Sequence, residues 1–469
     1  MLSEDILYST VSDLGRALRA RKFTAVELTD AYIERLELHG PKLNAVVTVT
    51  RGLAREQAKR AAAEMAAGHF RGPLHGIPYG VKDLLSTKGI KTTWGCRAYA
   101  DQTPAEDATV VRRLHEAGAI LIAKLAMVEL AGAAGYRSAS ASLTGPGRNP
   151  WNPLRWAGGS SSGSGAAVAA GLAAFALGSE TWGSIVTPAG FCGVSGLRPT
   201  YGLVSRQGAM AVSWSMDKLG PLARSAEDCG LVLAAIAGAD PADPTSSRKS
   251  FRIPLHAPAP RLVGKRIGFI RENFAEYGER EVEQAYEKAL EVFKAAGAKV
   301  GELKLPDFPY DSVASTIVSA EAAAAFEDLI RTGRTEELID AEGKVGLLAG
   351  RSLLAADYLK AQRIRSLIQQ EITKLFTTID VLVAPSLLIV APPLEADLNE
   401  VFKGGGDIEA AGNLAGLPAL SVPCGFGRDH LPVGLQIVGK PFDESTVIEV
   451  GRAFQAKTAW HHERPPLSA

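Results

Sequence analysis

Cysteine is scarce in this chain. Its 469 residues include four, Cys96, Cys192, Cys229 and Cys424, far apart and without a C-x-x-C pair. That argues against a disulfide framework and leaves reduced, mostly buried thiols. An excess of charge of either sign is also missing, because 51 Lys and Arg balance 51 Asp and Glu. Such a chain sets up no strong field for nucleic acid or an anionic membrane. Long hydrophobic runs are absent too. The longest, Gly165 to Gly178, is short and rich in Ala and Gly, whereas a spanning helix needs about 20 apolar residues. The opening "MLSEDILYSTVSDLGRALRARKF" starts acidic and has no unbroken apolar segment, so a signal peptide is not expected. Together these absences predict a cytoplasmic protein with neither membrane nor nucleic acid among its partners.

What is present is a large apolar inventory, 46% of residues, enough for a sizeable core. Helical spacing runs through "TAVELTDAYIERLELHG", "REQAKRAAAEMAAG", Glu281 to Gly297 and "YLKAQRIRSLIQQEITKLF". Short apolar runs such as "GIPYGVKDLL", "KRIGFI", "DVLVAPS", "ALSVPCG" and "VGLQIVG" read as strands. Ser225 is placed to cap the helix in "SAEDCGLVLAAIAG". Strands that are apolar throughout, alternating with helices, predict an α/β fold with a sheet covered by helices on both faces. The Pro, Asp and Ser-rich stretch Ala239 to Leu262 predicts a surface excursion within one domain.

The densest signal is "GGSSSGSGAAVAAG", Gly158 to Gly171, followed by "SETWGSIVTPAG", Ser179 to Gly190. A flexible linker would stay polar, but "AAVAAGLAAFALG" follows at once and reads as a buried helix. A phosphate-binding loop would end in Gly-Lys-Ser or Gly-Lys-Thr, and there is no lysine. "GSSSG" matches a nucleophile elbow, yet "NPLRWA" before it makes a poor central strand. What remains is two serine-bearing glycine loops flanking a small-residue helix. Freed backbone N–H groups and a helix N-terminus suit a developing oxyanion. A serine nucleophile needs a base, and no histidine lies near either loop. Lys82, in an apolar strand-to-loop context, serves if burial lowers its pKa.

These segments resemble the amidase signature family. "GIPYGVKD", "GRNPW", "GGSSSGSGAAVAAG", "GSETWGSIVTPAGFCGVSGLRPTYG" and "NLAGLPALSVPCG" carry the likeness in order and spacing, over about Val26 to Arg452. The resemblance implies one large α/β domain over residues 1–469 with a central mixed sheet and N-terminal helices in about 1–65. It implies a Ser–cis-Ser–Lys triad of Ser184 as nucleophile, Ser160 as bridge and Lys82 as base. Its oxyanion donors fall on Thr181, Trp182, Gly183 and Ser184, with Ser161 supporting the loop and the Gly159–Ser160 peptide bond cis. No metal or organic cofactor is implied.

The chain departs from the family at "ETWGSIV". Trp182 stands where a glycine is common, and its indole either walls the pocket or packs behind the loop. Val186 stands in place of an arginine and removes a cation that could pair with Glu180. Met127, Leu130, Tyr136, Met210 and Trp214 are candidate pocket residues, and they imply a bulky, apolar substrate group such as an aryl ring. The expected function is a stand-alone amide hydrolase, monomer or homodimer, on a small-molecule amide or carbamate, with aryl amides and aryl esters included. A second reading is the glutaminase subunit of a tRNA-dependent amidotransferase. Against it, "EGKVGLLAGRSL" lacks paired arginines for an amino-acid carboxylate, leaving Arg351 as a substitute. A third is a binding protein on an inactive scaffold, which the filled triad positions disfavour.

Overall fold

Runs that are apolar on every residue become strands buried on both faces, and stripes at helical spacing become the helices that cover them. The computed structural model describes residues 2–467 apart from 134, 254–260, 273 and 405. Its strands are β1 (Val46–Val49), β2 (Pro78–Lys82), β3 (Ile120–Leu125), β4 (Arg148–Asn149), β5 (Asn152–Trp156), β6 (Phe175–Glu180) and β7 (Ser195–Arg198). They continue with β8 (Lys218–Ala223), β9 (Arg266–Ile270), β10 (Lys299–Leu303), β11 (Val381–Pro385), β12 (Ala419–Phe426) and β13 (Pro432–Gly439).

Eleven of them form one mixed sheet in the order β1-β3-β2-β6-β8-β7-β12-β13-β11-β9-β10. β2 runs parallel to both β3 and β6, whereas β6–β8 and β12–β13 are antiparallel. Helices cover both faces. The helix Val186–Cys192 packs on β7, β12 and β13, and Ala226–Ile236 packs on β7 and β8. The helices read from spacing are present as Ala25–His39, Arg51–Ala66, Arg280–Ala295 and Ala355–Leu375. Ser225 caps its helix by accepting from the Asp228 N–H at 3.1 Å.

One reading is corrected. "AAVAAGLAAFALG" is not helical throughout: the helix Ser162–Ala169 stops, and β6 begins at Phe175. Gly171 between them takes φ +66°, which ends the helix without strain for a residue lacking Cβ. Every residue of β6 is buried, so the run carries no alternation to mark it as strand. "NPLRW" is β5, which pairs with β4 in a two-stranded sheet outside the main one. Residues 254–260 of the Pro, Asp and Ser-rich stretch lie outside the described residues; Asp240, before them, accepts hydrogen bonds from Thr109 and Ser205 at 2.6 Å each. The four cysteines are free and buried. No described helix is long and apolar enough to cross a membrane.

The core holds an unexpected class of side chain. Lys82, Lys124, Lys218 and Arg198 are among its largest fully buried residues. Burying a cation is costly unless it is paired or loses its proton, so each of the four needs a local account. Three of them lead to one place.

Candidate active site

The parallel pairing of β2 with β6 brings the carboxyl ends of both strands together. Lys82 is the last residue of β2, and Ser179 and Glu180 are the last two of β6. The loop leading into helix Ser162–Ala169 passes alongside. Lys82 Nζ lies 2.7 Å from Ser160 Oγ and 2.9 Å from Ser179 Oγ. Ser160 Oγ lies 2.9 Å from Ser184 Oγ. The peptide bond between Gly159 and Ser160 is cis. Ser161 Oγ accepts from the Ser179 N–H at 3.3 Å and donates to Ser179 O at 3.2 Å, tying the first loop to β6. Ser164 adds a bond to Leu177 O at 3.1 Å.

The charge states follow from these surroundings. Burial pulls the Lys82 ammonium down to about 7, against the opposing pull of Asp217 and Glu180. Its hydrogen-bond partners are hydroxyls and a carbonyl, so no carboxylate touches it. Glu180 is the opposite case. Burial alone would raise its carboxyl, but Arg198 and Lys218 and the bonds it accepts hold it at about 2. It accepts from the N–H groups of Ile185 at 2.8 Å and Val186 at 3.0 Å, from Arg198 at 2.7 Å and from Asn413 at 3.0 Å. Arg198 thus supplies the cation that Val186 does not. With its charge fixed, Glu180 gathers the backbone just after Ser184 and shapes the second loop.

The rest of that loop is held from its other end. Thr181 Oγ1 donates to Asp217 at 2.6 Å, and Lys218 Nζ donates to Thr181 O at 3.3 Å. Gly183 takes φ +86°, a conformation that favours glycine, and its carbonyl accepts from the Thr187 N–H at 2.8 Å. The N–H groups of Trp182, Gly183 and Ser184 donate to no protein acceptor among the described residues. Unpaired donors beside a nucleophile are what oxyanion binding requires.

Ser184 opens on a cavity of about 580 Å³. Trp182 and Tyr136 line it, and Trp182 also packs against the core cluster of Val186, Met216 and Ala314. Met127 and Leu130 are 1% and 2% exposed and do not line it. The segment that carries them is pinned by Val128 N–H to Ser160 O and Leu130 N–H to Trp94 O, which leaves both side chains in the core. Met210 and Trp214 border a different cavity, of about 320 Å³, which they share with Ser179 and Thr181. Sequence reasoning missed Asp311, Ser386, Glu409 and Gln436, which also line the Ser184 cavity. They come from segments remote in sequence with no motif of their own. Among the described residues no cluster of His, Cys, Asp and Glu is arranged to hold a metal ion.

Known proteins resemble this chain over nearly its whole length. The amidase family pattern matches residues 27–448. The glutamyl-tRNA(Gln) amidotransferase A chain of Thermosynechococcus vestitus is 39% identical over 490 aligned positions, covering 98% of this chain and 100% of that one. Its counterpart in a Roseiflexus species is 40% identical, covering 98% of each. Among solved structures, the peptide amidase of Stenotrophomonas maltophilia superposes with a TM-score of 0.87 at 33% identity, covering 98% of both chains.

Proposed function

The chain belongs to the amidase family, and we propose that it hydrolyses amide C–N bonds through Lys82, Ser160 and Ser184. The observation that carries this is the unbroken path from Lys82 Nζ through Ser160 Oγ to Ser184 Oγ, at 2.7 and 2.9 Å, ending on a substrate-sized cavity. Neutral Lys82 accepts a proton from Ser160 as Ser160 accepts one from Ser184. Ser184 Oγ then attacks the carbonyl, and the loop N–H groups of Thr181 to Ser184 receive the oxyanion. The relay runs backwards to protonate the leaving amine, and water activated by the same path cleaves the acyl-enzyme. Ser161 serves by holding the bridging loop.

Two observations favour different substrates. The whole-length relatives favour the glutaminase component of a tRNA-dependent amidotransferase, with partner subunits, over a preference for aryl amides or carbamates. The cavity favours a stand-alone hydrolase. Its described lining includes no arginine, its lysine, Lys403, pairs with Glu400, and Arg351 lies exposed outside it. A free amino-acid carboxylate therefore has no ready cation there.

The test is release of ammonia or amine by the purified chain from glutamine, a peptide amide, an aryl amide and an aryl carbamate, with Ser184→Ala as control. Turnover of the uncharged amides, lost in the variant, supports the stand-alone reading. Turnover of glutamine that requires partner subunits supports the other. Turnover that persists in Ser184→Ala overturns the relay.

A further inference from the structure

Several polar side chains around Ser184 are already occupied by protein partners: Thr181 is held by Asp217 and Ser386 by Ser421. Gln436 and Glu409, which border the cavity, keep hydrogen-bonding capacity to spare. Gln436, 1% exposed, donates from Nε2 to Pro385 O at 3.3 Å but leaves its amide oxygen unpaired. The Glu409 carboxyl takes part in no hydrogen bond among the described residues.

The position of Glu409 is specific. A Cβ added to Gly183 would collide with Glu409 Oε1, so the carboxyl occupies the space a side chain on the oxyanion loop would need. Its helix, Asp407–Leu414, is fixed from below by the same network that shapes that loop. Asn413 Nδ2 donates to Glu180 at 3.0 Å and to the Glu409 carbonyl at 2.9 Å, while Lys218 donates to Asn413 Oδ1 at 2.7 Å. The helix that carries the carboxyl is therefore fixed beside the loop, while the carboxyl itself is partly exposed to the cavity. A substrate group that pairs with it there gains selectivity.

The titratable groups facing Glu409 are Glu180 and Arg198 beneath the loop, Asp311 from the helix Tyr310–Ala325 and Tyr136, which borders the same cavity. Lys403, bordering the same cavity, is engaged with Glu400. Burial first, then Glu180 and more weakly Asp311, push the Glu409 carboxyl up to about 8 against the pull of Arg198. An uncharged carboxyl presents an O–H donor and a C=O acceptor side by side. A primary amide or a terminal ureido group presents the complementary C=O and N–H on one edge, whereas a trans secondary amide points them to opposite sides. A carboxylate offers only acceptors, and an ammonium only donors.

We propose that Glu409 is a specificity-determining residue whose carboxyl pairs with a primary-amide or ureido group that the substrate carries beside the scissile carbonyl. This rests on the amide-hydrolase reading and names the substrate class within it.

The test compares wild type, Glu409→Gln and Glu409→Ala on N-carbamoyl-phenylalaninamide and on 3-phenylpropionamide, which lacks the ureido group. Wild type is expected to prefer the first by about tenfold or more in kcat/KM, the worth of one well-placed hydrogen-bonded group. Glu409→Gln, which keeps a donor and an acceptor, retains that preference near neutral pH. Glu409→Ala loses it through KM, so that the two amides are turned over alike. As pH rises through about 8 the wild-type carboxyl loses its donor, so KM for the ureido substrate climbs, and in Glu409→Gln it does not. Equal loss in the Gln and Ala variants, or no preference in any of the three, overturns the assignment. Calorimetric binding of both amides to Ser184→Ala, with and without Glu409→Ala, reads the same preference without turnover. A silent relay with intact binding preference contradicts the hydrolase reading alone, and absent binding preference contradicts the role of Glu409.

Discussion

Lys82 and Lys124 sit on neighbouring parallel strands, both without solvent contact, with Lys124 paired in register to Val81. Their partners differ in kind. Lys124 Nζ meets the Asp83 carboxylate at 3.3 Å, Leu85 O at 2.7 Å and Thr92 Oγ1 at 2.7 Å. Burial lowers its ammonium and Asp83 restrains the fall, to about 8. Lys82 has hydroxyls in contact and acids only at a distance, and burial takes it to about 7. Asp83 follows Lys82 directly but serves the other lysine, because successive side chains leave an extended backbone on opposite sides. Burial alone therefore does not make a base. In this pair the carboxylate in contact makes Lys124 a strut, and its absence leaves Lys82 able to give up and regain a proton near neutral pH.

Exchanging each lysine for methionine breaks the comparison most sharply. Lys82→Met is expected to lower kcat by at least about 10³-fold, the scale of a lost general base. It spares the fold, since no buried carboxylate loses its contact cation; activity assays beside thermal unfolding check both parts. Lys124→Met should do the reverse. It strands Asp83 and costs about 3–5 kcal/mol of stability, read as a lowered denaturant midpoint, while kcat holds. Adding Asp83→Asn to Lys124→Met should recover part of that loss, because the stranded charge is gone.

The pH profile sharpens the same contrast. Protonated Lys82 cannot accept, so kcat/KM should fall as pH drops below about 7 and level off above it. Lys124→Met should leave this inflection in place. Ser161→Ala is the smallest change expected. It removes two bonds to Ser179 and costs about 1 kcal/mol in unfolding free energy, with the inflection unmoved.

Much of this is legible in the sequence, and the lysine pair marks where legibility ends. Apolar runs and helical stripes predict the sheet and its coverings, because burial on two faces or one leaves its period in the residues. Its apolar context makes Lys82 a candidate base, but the family resemblance is what selects it, since "GVK" and "IAK" look alike. Ser160, which sets the two lysines apart, lies 78 residues away from Lys82. Arg198 as the partner of Glu180 escapes sequence reading for a related reason: a single arginine in an apolar strand has no signature until the fold brings Glu180 to it. Glu409 and Asn413 reach the oxyanion loop from more than 200 residues away in sequence. Met127 and Leu130 have the composition of pocket residues and the placement of core residues. Composition does not distinguish the two; the backbone bonds around them do.

The most direct test of the central claim needs no knowledge of the substrate. It is the rate at which phenylmethanesulfonyl fluoride labels Ser184, followed against pH in wild type and Lys82→Met. If Lys82 activates Ser184 through Ser160, the wild-type rate rises through about pH 7 to a plateau, and the variant is slow at every pH. A wild-type rate without that inflection, or a variant labelled as fast as wild type, would contradict it.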